Sequence, residues 1–364
     1  MLIAHDWLLG WAGSERVLRE IVCTLPQAEV VTAFADPQVL AEHFAGIRVH
    51  ELWPGRVHGM RRWYQWLLPL QAAAFGTLAT GRYDVVISSA HALAKATRPG
   101  RRGIHICYCH SPPRYLWDQY ETYYAGSPWP RRLALRWARR PLQVLDRAAA
   151  SRVTHFVANS RFIQRRILHA YGRLAHVIYP PAEAKGPHRA GPESQRDEFL
   201  LYLGRLVPYK RVDLLVRVAS RFGMPTVIAG DGPELDRLKA MAGPTVHFLG
   251  YVADDEAAGL LERCAAFVFC AEEDFGIAPV EANAHGAPVV ALRAGGVIES
   301  MREGATAVFF DEPTENSLAE AIRRALGRSW DPQVLRANAA RFSPERFRAE
   351  FAQCVADSLA GARW

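Results

Sequence analysis

Long apolar runs are missing from this chain. None approaches the ~18 residues needed to cross a bilayer, so a helical membrane-spanning protein is not expected. The opening stretch MLIAHDWLL has neither a basic n-region nor a small-residue cleavage site, so it is read as an early strand rather than a secretory leader, and the chain is expected in the cytoplasm. Cysteine is scarce, with 6 in 364 residues (Cys23, Cys107, Cys109, Cys264, Cys270 and Cys354). Their spacing fits neither a disulfide framework nor a zinc site. Buried, reduced thiols are expected, with the two of CYC (107–109) on one face of a strand. Internal repeats, low-complexity tracts and a G-x-G-x-x-G dinucleotide fingerprint are absent too.

What is present is an ordinary globular balance, 50% hydrophobic and 22% charged, over a length that suggests two domains. Charge is unevenly spread. Residues 1–180 hold 23 Lys and Arg against 11 Asp and Glu, and the remainder holds 21 against 26. A basic first half suggests an anionic partner: nucleic acid, an acidic membrane surface or a phosphorylated acceptor. Apolar, β-branched runs alternate with amphipathic stretches. The runs MLIAHDW, AEVVTAF, IRVHEL, YDVVISS, RGIHICYC and VTHFVANS, then FLLYLGR, MPTVIAGDG, TVHFLGYV, AAFVFCAE, APVVALR and TAVFFD, predict strands. Helices are expected between them, for instance over 15–25 and 161–171. This order predicts α/β architecture with two doubly wound, Rossmann-like domains and ligand sites at the strands' carboxyl ends. The proline-rich VIYPPAEAKGPHRAGPESQRDE (177–198) reads as the linker. Domains are expected over 1–180 and 181–342, with a final helix over 343–364, N-capped by Ser343 and carrying Phe347, Phe351 and Val355 on one face.

Four stretches could carry chemistry. In GRLVPYKR (204–211), Gly204 permits a tight turn at a strand end, and Arg205 and Lys210 could act as phosphate ligands. In CAEEDFGIAPVEANAHGAPVVA (270–291), Glu273 and Glu281 flank a turn at Gly276 before a helix beginning near Ile277. Carboxylates accept hydrogen bonds from paired hydroxyls, and a helix start favours a diphosphate; two solvated glutamates are the plain alternative. In HICYCHSPPRYLWD, His110 stands at a strand's carboxyl end, as a site residue or as a capping or core histidine. HDWLLGWAGSERVL passes through Gly10 and Gly13 into a helix start, with Asn159 and Ser160 at the same topological edge.

Taken in order with VIAGDGPE, HFLGYV and ALRAGGVIE, these motifs resemble the retaining glycosyltransferase family 4 of GT-B fold, in which two Rossmann-like domains face each other across a cleft. The Glu-x7-Glu of Glu273 and Glu281 is the strongest element. The first-half motifs look like a mannosyltransferase branch that builds bacterial surface polysaccharides. The resemblance implies that Glu273 contacts donor-sugar hydroxyls beside the backbone of Phe275, Gly276 and Ile277, and that Glu281 holds the ribose. Arg205 and Lys210 would neutralise the departing diphosphate, with Gly13 at its distal phosphate. His110 would meet the transferred sugar, and Gly250, Tyr251 and Val252 would line the base pocket. Trp11, Asn159 and Ser160 become acceptor-side candidates. Many members have glycine after the lysine, where this chain has Arg211.

The family pattern further implies a retained, α-linked product, a nucleotide-sugar donor (GDP-mannose first, with UDP- or deoxysugar nucleotides as alternatives), and no cofactor or essential metal. The implied acceptor is a polyprenyl-diphosphate-linked oligosaccharide. RVHGMRRWYQWLLPLQ and SPWPRRLALRWARRPLQ interleave arginines with aromatic and apolar residues, as a segment lying on an anionic membrane surface would, or as a helix packed on its own core with a solvated arginine face. A non-catalytic basic protein on membrane or nucleic acid is a remoter alternative. No recognised nucleic-acid-binding module is present, so no nucleic-acid partner is expected.

Overall fold

The computed structural model describes residues 1–57, 59–118, 120–125, 129–182 and 196–361. Most of the expected linker therefore lies outside the described residues. The chain divides into two compact units, Met1–Pro180 with Glu345–Trp364, and Pro181–Pro344.

The first unit is built on a 7-stranded sheet ordered β3-β2-β1-β4-β5-β6-β7. Its strands are β1 (Leu2–His5), β2 (Glu29–Thr32), β3 (Val49–Glu51), β4 (Val85–Ala90), β5 (Ile104–Cys109), β6 (His155–Ala158) and β7 (Ala175–Val177). Every pairing is parallel. Central strands such as VVISSA are buried along their whole length, which is why they read as near-continuous apolar runs. β7 was not expected; Val177, placed in the linker by composition, is its last residue.

Side chains alternate between two faces. Cys107 and Cys109 enter one core with Val86, Phe156 and Ile163. Ile3, Ile87, Ile106 and Tyr108 enter the other, which the helix Gly13–Thr24 covers through Val17, Leu18 and Ile21. The final helix, Pro344–Leu359, adds Phe347, Phe351 and Val355 to this second core. All six cysteines are free and five are buried; Cys23, on a helix flank, is exposed, contrary to the expectation for that position.

The second unit carries a 6-stranded parallel sheet ordered β10-β9-β8-β11-β12-β13. Its strands are β8 (Leu200–Leu203), β9 (Thr226–Ala229), β10 (Val246–Gly250), β11 (Ala266–Phe269), β12 (Val289–Leu292) and β13 (Ala307–Phe310). Each is one of the six expected runs. In both sheets the strand order reverses beside the first strand, between β1 and β4 and between β8 and β11. Loops diverge there, leaving a crevice beyond the strands' carboxyl ends where ligands of doubly wound sheets bind.

Candidate active site

In the second unit, the candidate residues gather at the switch point. Gly204 follows β8 with φ +147, a conformation suited to glycine, and a side chain there would crowd Tyr202 Oη and Lys210 Nζ. Tyr202 Oη donates to the Arg205 carbonyl at 3.0 Å, fixing the turn. A short helix, Pro208–Lys210, then aims Lys210 at the loop after β11, where its Nζ lies 3.0 Å from Glu273 Oε1. Burial alone would push the Lys210 ammonium down, but the Glu273 carboxylate, with Tyr202 and Tyr209, holds it above the ordinary lysine value. Lys210 is thus a fixed cation. Arg205 is exposed and makes no ion pair among the described residues, which leaves it able to bind an anion.

The loop carrying Glu273 is held by its backbone. Glu273 forms an isolated parallel bridge with Gly295, and Gly296 N donates to Glu273 O at 2.8 Å. A Cβ at Gly296 would stand 2.2 Å from Asp274 O, so only glycine fits the crossing. The same holds at Gly230, where a Cβ would fall 1.9 Å from Gly204 O. These close approaches give a physical reason for the glycines of VIAGDGPE and ALRAGGVIE, which the sequence offered only as pattern. Phe275 is buried, and Gly276, at φ +84, begins the helix Ile277–Ala284, which carries Glu281 half-buried in its second turn. A helix start, a fixed ammonium and a guanidinium suit a diphosphate, and the two carboxylates suit hydroxyls. Tyr251 and Val252 follow β10, two strands away from β8; Val252 is buried and Tyr251 is 85% exposed.

In the first unit, β1, β4 and β5 deliver a buried polar cluster to the sheet's carboxyl edge. Asp6, fully buried, accepts four backbone N–H bonds from His91, Ala92, Leu93 and Ala94 at 2.5–2.9 Å. Burial raises its carboxyl's pKa, but His91, His5 and those amides together bring it below the usual range. His110 follows β5, and its Nε2 lies 2.8 Å from Ser89 Oγ. Burial, then His91 and His5, push His110 down to about 3, so it is neutral near pH 7. Asn159 Nδ2 donates to the His110 carbonyl at 3.0 Å. Ser160 is fully buried as N-cap of the helix Arg161–Tyr171, accepting from Ile163 N at 3.0 Å. Trp11 stacks on His43 at 3.9 Å between ring centres. Gly13 opens the helix Gly13–Thr24, where Glu15 Oε2 accepts from Ala12 N at 3.1 Å.

Sequence reasoning missed Asp6, Ser89, Glu15 and a second buried pair. Lys95 Nζ lies 2.6 Å from Asp146 Oδ1, and Asp146 also accepts from Trp117 and Tyr171. A lysine in HALAKAT carries no sign of burial, because its partner lies on the distant helix Trp129–Ala150.

Comparisons with known proteins agree with this architecture. Residues 11–185 match the model described as Glycosyltransferase Family 4, and residues 187–342 the model described as Glycosyl transferases group 1. A GDP-mannose-dependent alpha-mannosyltransferase of Corynebacterium glutamicum is 36% identical over 111 residues, covering 30% of this chain and 27% of that protein. A D-inositol 3-phosphate glycosyltransferase of a Nocardioides species is 30% identical over 156 residues, covering 35% and 33%. The matched region thus spans about a third or less of these two relatives' length. Among solved structures, Anabaena HepE in complex with UDP and glucose superposes with TM-score 0.71 at 19% identity, covering 98% of this chain and 99% of that one. With both sheets, their switch points and two adjoining family models spanning residues 11–185 and 187–342, this chain belongs to glycosyltransferase family 4, of the GT-B fold.

Proposed function

We propose that the protein is a retaining glycosyltransferase that moves mannose from GDP-mannose onto a polyprenyl-diphosphate-linked oligosaccharide during surface-polysaccharide synthesis. The observation that carries the transfer reading is the Lys210–Glu273 pair at the second sheet's switch point, beside a helix start. In an oxocarbenium-like transition state, negative charge grows on the departing diphosphate. Lys210, Arg205 and the N–H groups at Ile277 are the chain's donors for it, and in many enzymes charge stabilisation of this kind supplies most of the rate enhancement. Glu273 and Glu281 bind hydroxyls of the sugar and the ribose, and no step calls for a metal.

The mannose donor rests on the Corynebacterium relative, and the HepE complex favours a UDP-sugar as second reading. A screen of GDP-, UDP-, dTDP- and ADP-sugars, reading nucleotide release with chelator present, separates them. Release from GDP-mannose is expected; release from UDP-sugars alone selects the second reading.

For the acceptor we propose a membrane-borne substrate reached from the cytoplasmic face. On the helix Trp129–Ala150, Trp129, Leu133 and Trp137 recur every four residues and are exposed, with Arg132, Arg136 and Arg140 beside them in the same spacing. Paired apolar and arginine stripes suit an anionic lipid surface. No helix among the described residues is long and apolar enough to cross a membrane.

A further inference from the structure

The polar cluster of the first unit has a direction. His5 and Ser89 are register partners across β1 and β4, and Ser89 is paired with Tyr108 on β5. By strand alternation, His5, Ser89 and His110 all project from the face that carries Ile3, Ile87, Ile106 and Tyr108. They meet at its edge, under the first turn of the helix Gly13–Thr24. His5 Nδ1 lies 3.1 Å from both the Ser89 carbonyl oxygen and Ser89 Oγ. Ser89 Oγ lies 2.8 Å from His110 Nε2. Glu15, buried in that first turn, places Oε1 3.7 Å from His5 Nε2 while Oε2 is held by Ala12 N.

The hydrogens follow from what each atom can do. A carbonyl only accepts, so His5 Nδ1 must carry a proton and donate it toward Ser89. A protonated Nδ1 cannot accept from the Ser89 hydroxyl. Ser89 is fully buried, and of its two ring partners only His110 Nε2 can take the hydroxyl hydrogen. The opposite direction, Nε2–H donating to Ser89 Oγ, would leave that buried hydrogen without an acceptor at either ring, so Nε2 is the unprotonated nitrogen. A neutral His110 then carries its proton on Nδ1.

We infer that His5 and Ser89 form a positioning chain that fixes His110 as the Nδ1–H tautomer, making it a hydrogen-bond donor to an oxygen of the transferred sugar and not a base. This rests on the glycosyl-transfer reading only for the identity of the ligand oxygen. The ring's basic lone pair is occupied by Ser89, so His110 has none to offer an acceptor hydroxyl. Its carbonyl is pinned by Asn159 as well, so ring and backbone are both set before a ligand arrives. Asp6, Glu15, His5, His91 and Tyr108 are the titratable groups around the ring, and burial with the two histidines keeps it neutral.

The test uses full-length protein labelled with 15N-histidine. Long-range proton–nitrogen correlation reports which nitrogen of each ring is protonated, and His110→Phe assigns the His110 signals. Protonated Nδ1 and bare Nε2 are expected between pH 6 and 8. Ser89→Ala should turn His110 toward the other tautomer and lower kcat by about 10- to 100-fold, the range seen when the partner that orients a metal-bound histidine is lost, with donor KM nearly unchanged. His5→Asn, whose amide nitrogen can replace Nδ1 as donor, should keep tautomer and turnover; His5→Leu should lose both. His110 protonated on Nε2 in the unaltered protein overturns the inference, as does full turnover by Ser89→Ala. A protein that turns over no sugar nucleotide but changes tautomer in Ser89→Ala supports the chain and defeats the transfer reading.

Discussion

Lys210 Nζ lies 3.0 Å from Glu273 Oε1, so the loop after β8 and the loop after β11 are tied at the switch point by the two side chains proposed to meet the donor. The Glu273 carboxylate raises the lysine's affinity for its proton, and the contact holds both side chains in place. Glu273→Ala and Lys210→Ala should each lower turnover by about 10²- to 10³-fold, the usual loss when one transition-state charge partner is removed. Because the two act together, the double variant should lose less than the product of the single losses. Steady-state kinetics on the four proteins, with circular dichroism to confirm folding, reads this out. Independent, multiplying losses would show that the pair is incidental.

Arg211 stands at φ 51 and ψ 36 at the N-cap of the helix Val212–Phe222, the only non-glycine at positive φ among the described residues. This is the position where many family members have glycine. The left-handed conformation costs an L-residue about 1–2 kcal/mol, and the Arg211–Asp213 contact at 3.2 Å, with Arg211 39% exposed, returns little of it. Arg211→Gly should leave the thermal midpoint unchanged or raise it, while Arg211→Val should lower stability by at least ~1 kcal/mol, because β-branched residues fit this region worst. Chemical denaturation of both variants decides; equal destabilisation would rule strain out.

The fold was largely legible because parallel strands buried on both faces are apolar runs, as most strands of the second sheet are; its edge strand β10 alternates buried and open positions instead. β7 was not legible, since three residues, AHV, at a sheet edge just before Pro180 and Pro181 carry too little pattern. At the site, Lys210 and Glu273 were legible as motif residues, but their contact was not. Ser89 and His5 escaped notice for a deeper reason. They meet through sheet register, across 84 positions of sequence, and neither residue type looks unusual where it stands. Asp6 is similar: its four amide partners belong to a loop that only the β1–β4 pairing brings near.

Acid should weaken this protein partly through His105, which is fully buried against Ser88 Oγ at 2.9 Å. Burial, with a smaller push from Arg152, lowers its pKa from 6.5 to about 3. The unfolded chain therefore binds a proton that the folded chain refuses. Stability is full above pH 6.5 and is lost progressively as pH falls toward about 3. At pH 5 the loss from this one group is about 2 kcal/mol, from roughly 1.4 kcal/mol per pH unit. His105 projects with Cys107 and Cys109, away from the face that carries His110. His105→Gln should flatten the acid limb of stability by that amount and leave turnover at pH 7.5 intact. An unchanged slope of unfolding free energy against pH between 5 and 7 would show that the imidazole is already protonated in the fold.

Exposed tryptophans give the membrane proposal its most direct test. Trp129 is 76% and Trp137 75% exposed on the helix Trp129–Ala150, so neither supports a core in the described structure. Replacing both with alanine should leave the thermal midpoint within a degree or two yet reduce flotation with anionic vesicles. Arg132, Arg136 and Arg140 act through charge, at about 1 kcal/mol for each near an anionic surface. Changing all three to serine should cut binding roughly 100-fold at low salt, and high salt should erase the difference from the unaltered protein. Neutral vesicles separate the contributions: the tryptophan variant should still bind them less, while the serine variant should match the unaltered protein. Equal flotation of all three proteins on anionic vesicles would assign the two stripes to a solvated surface.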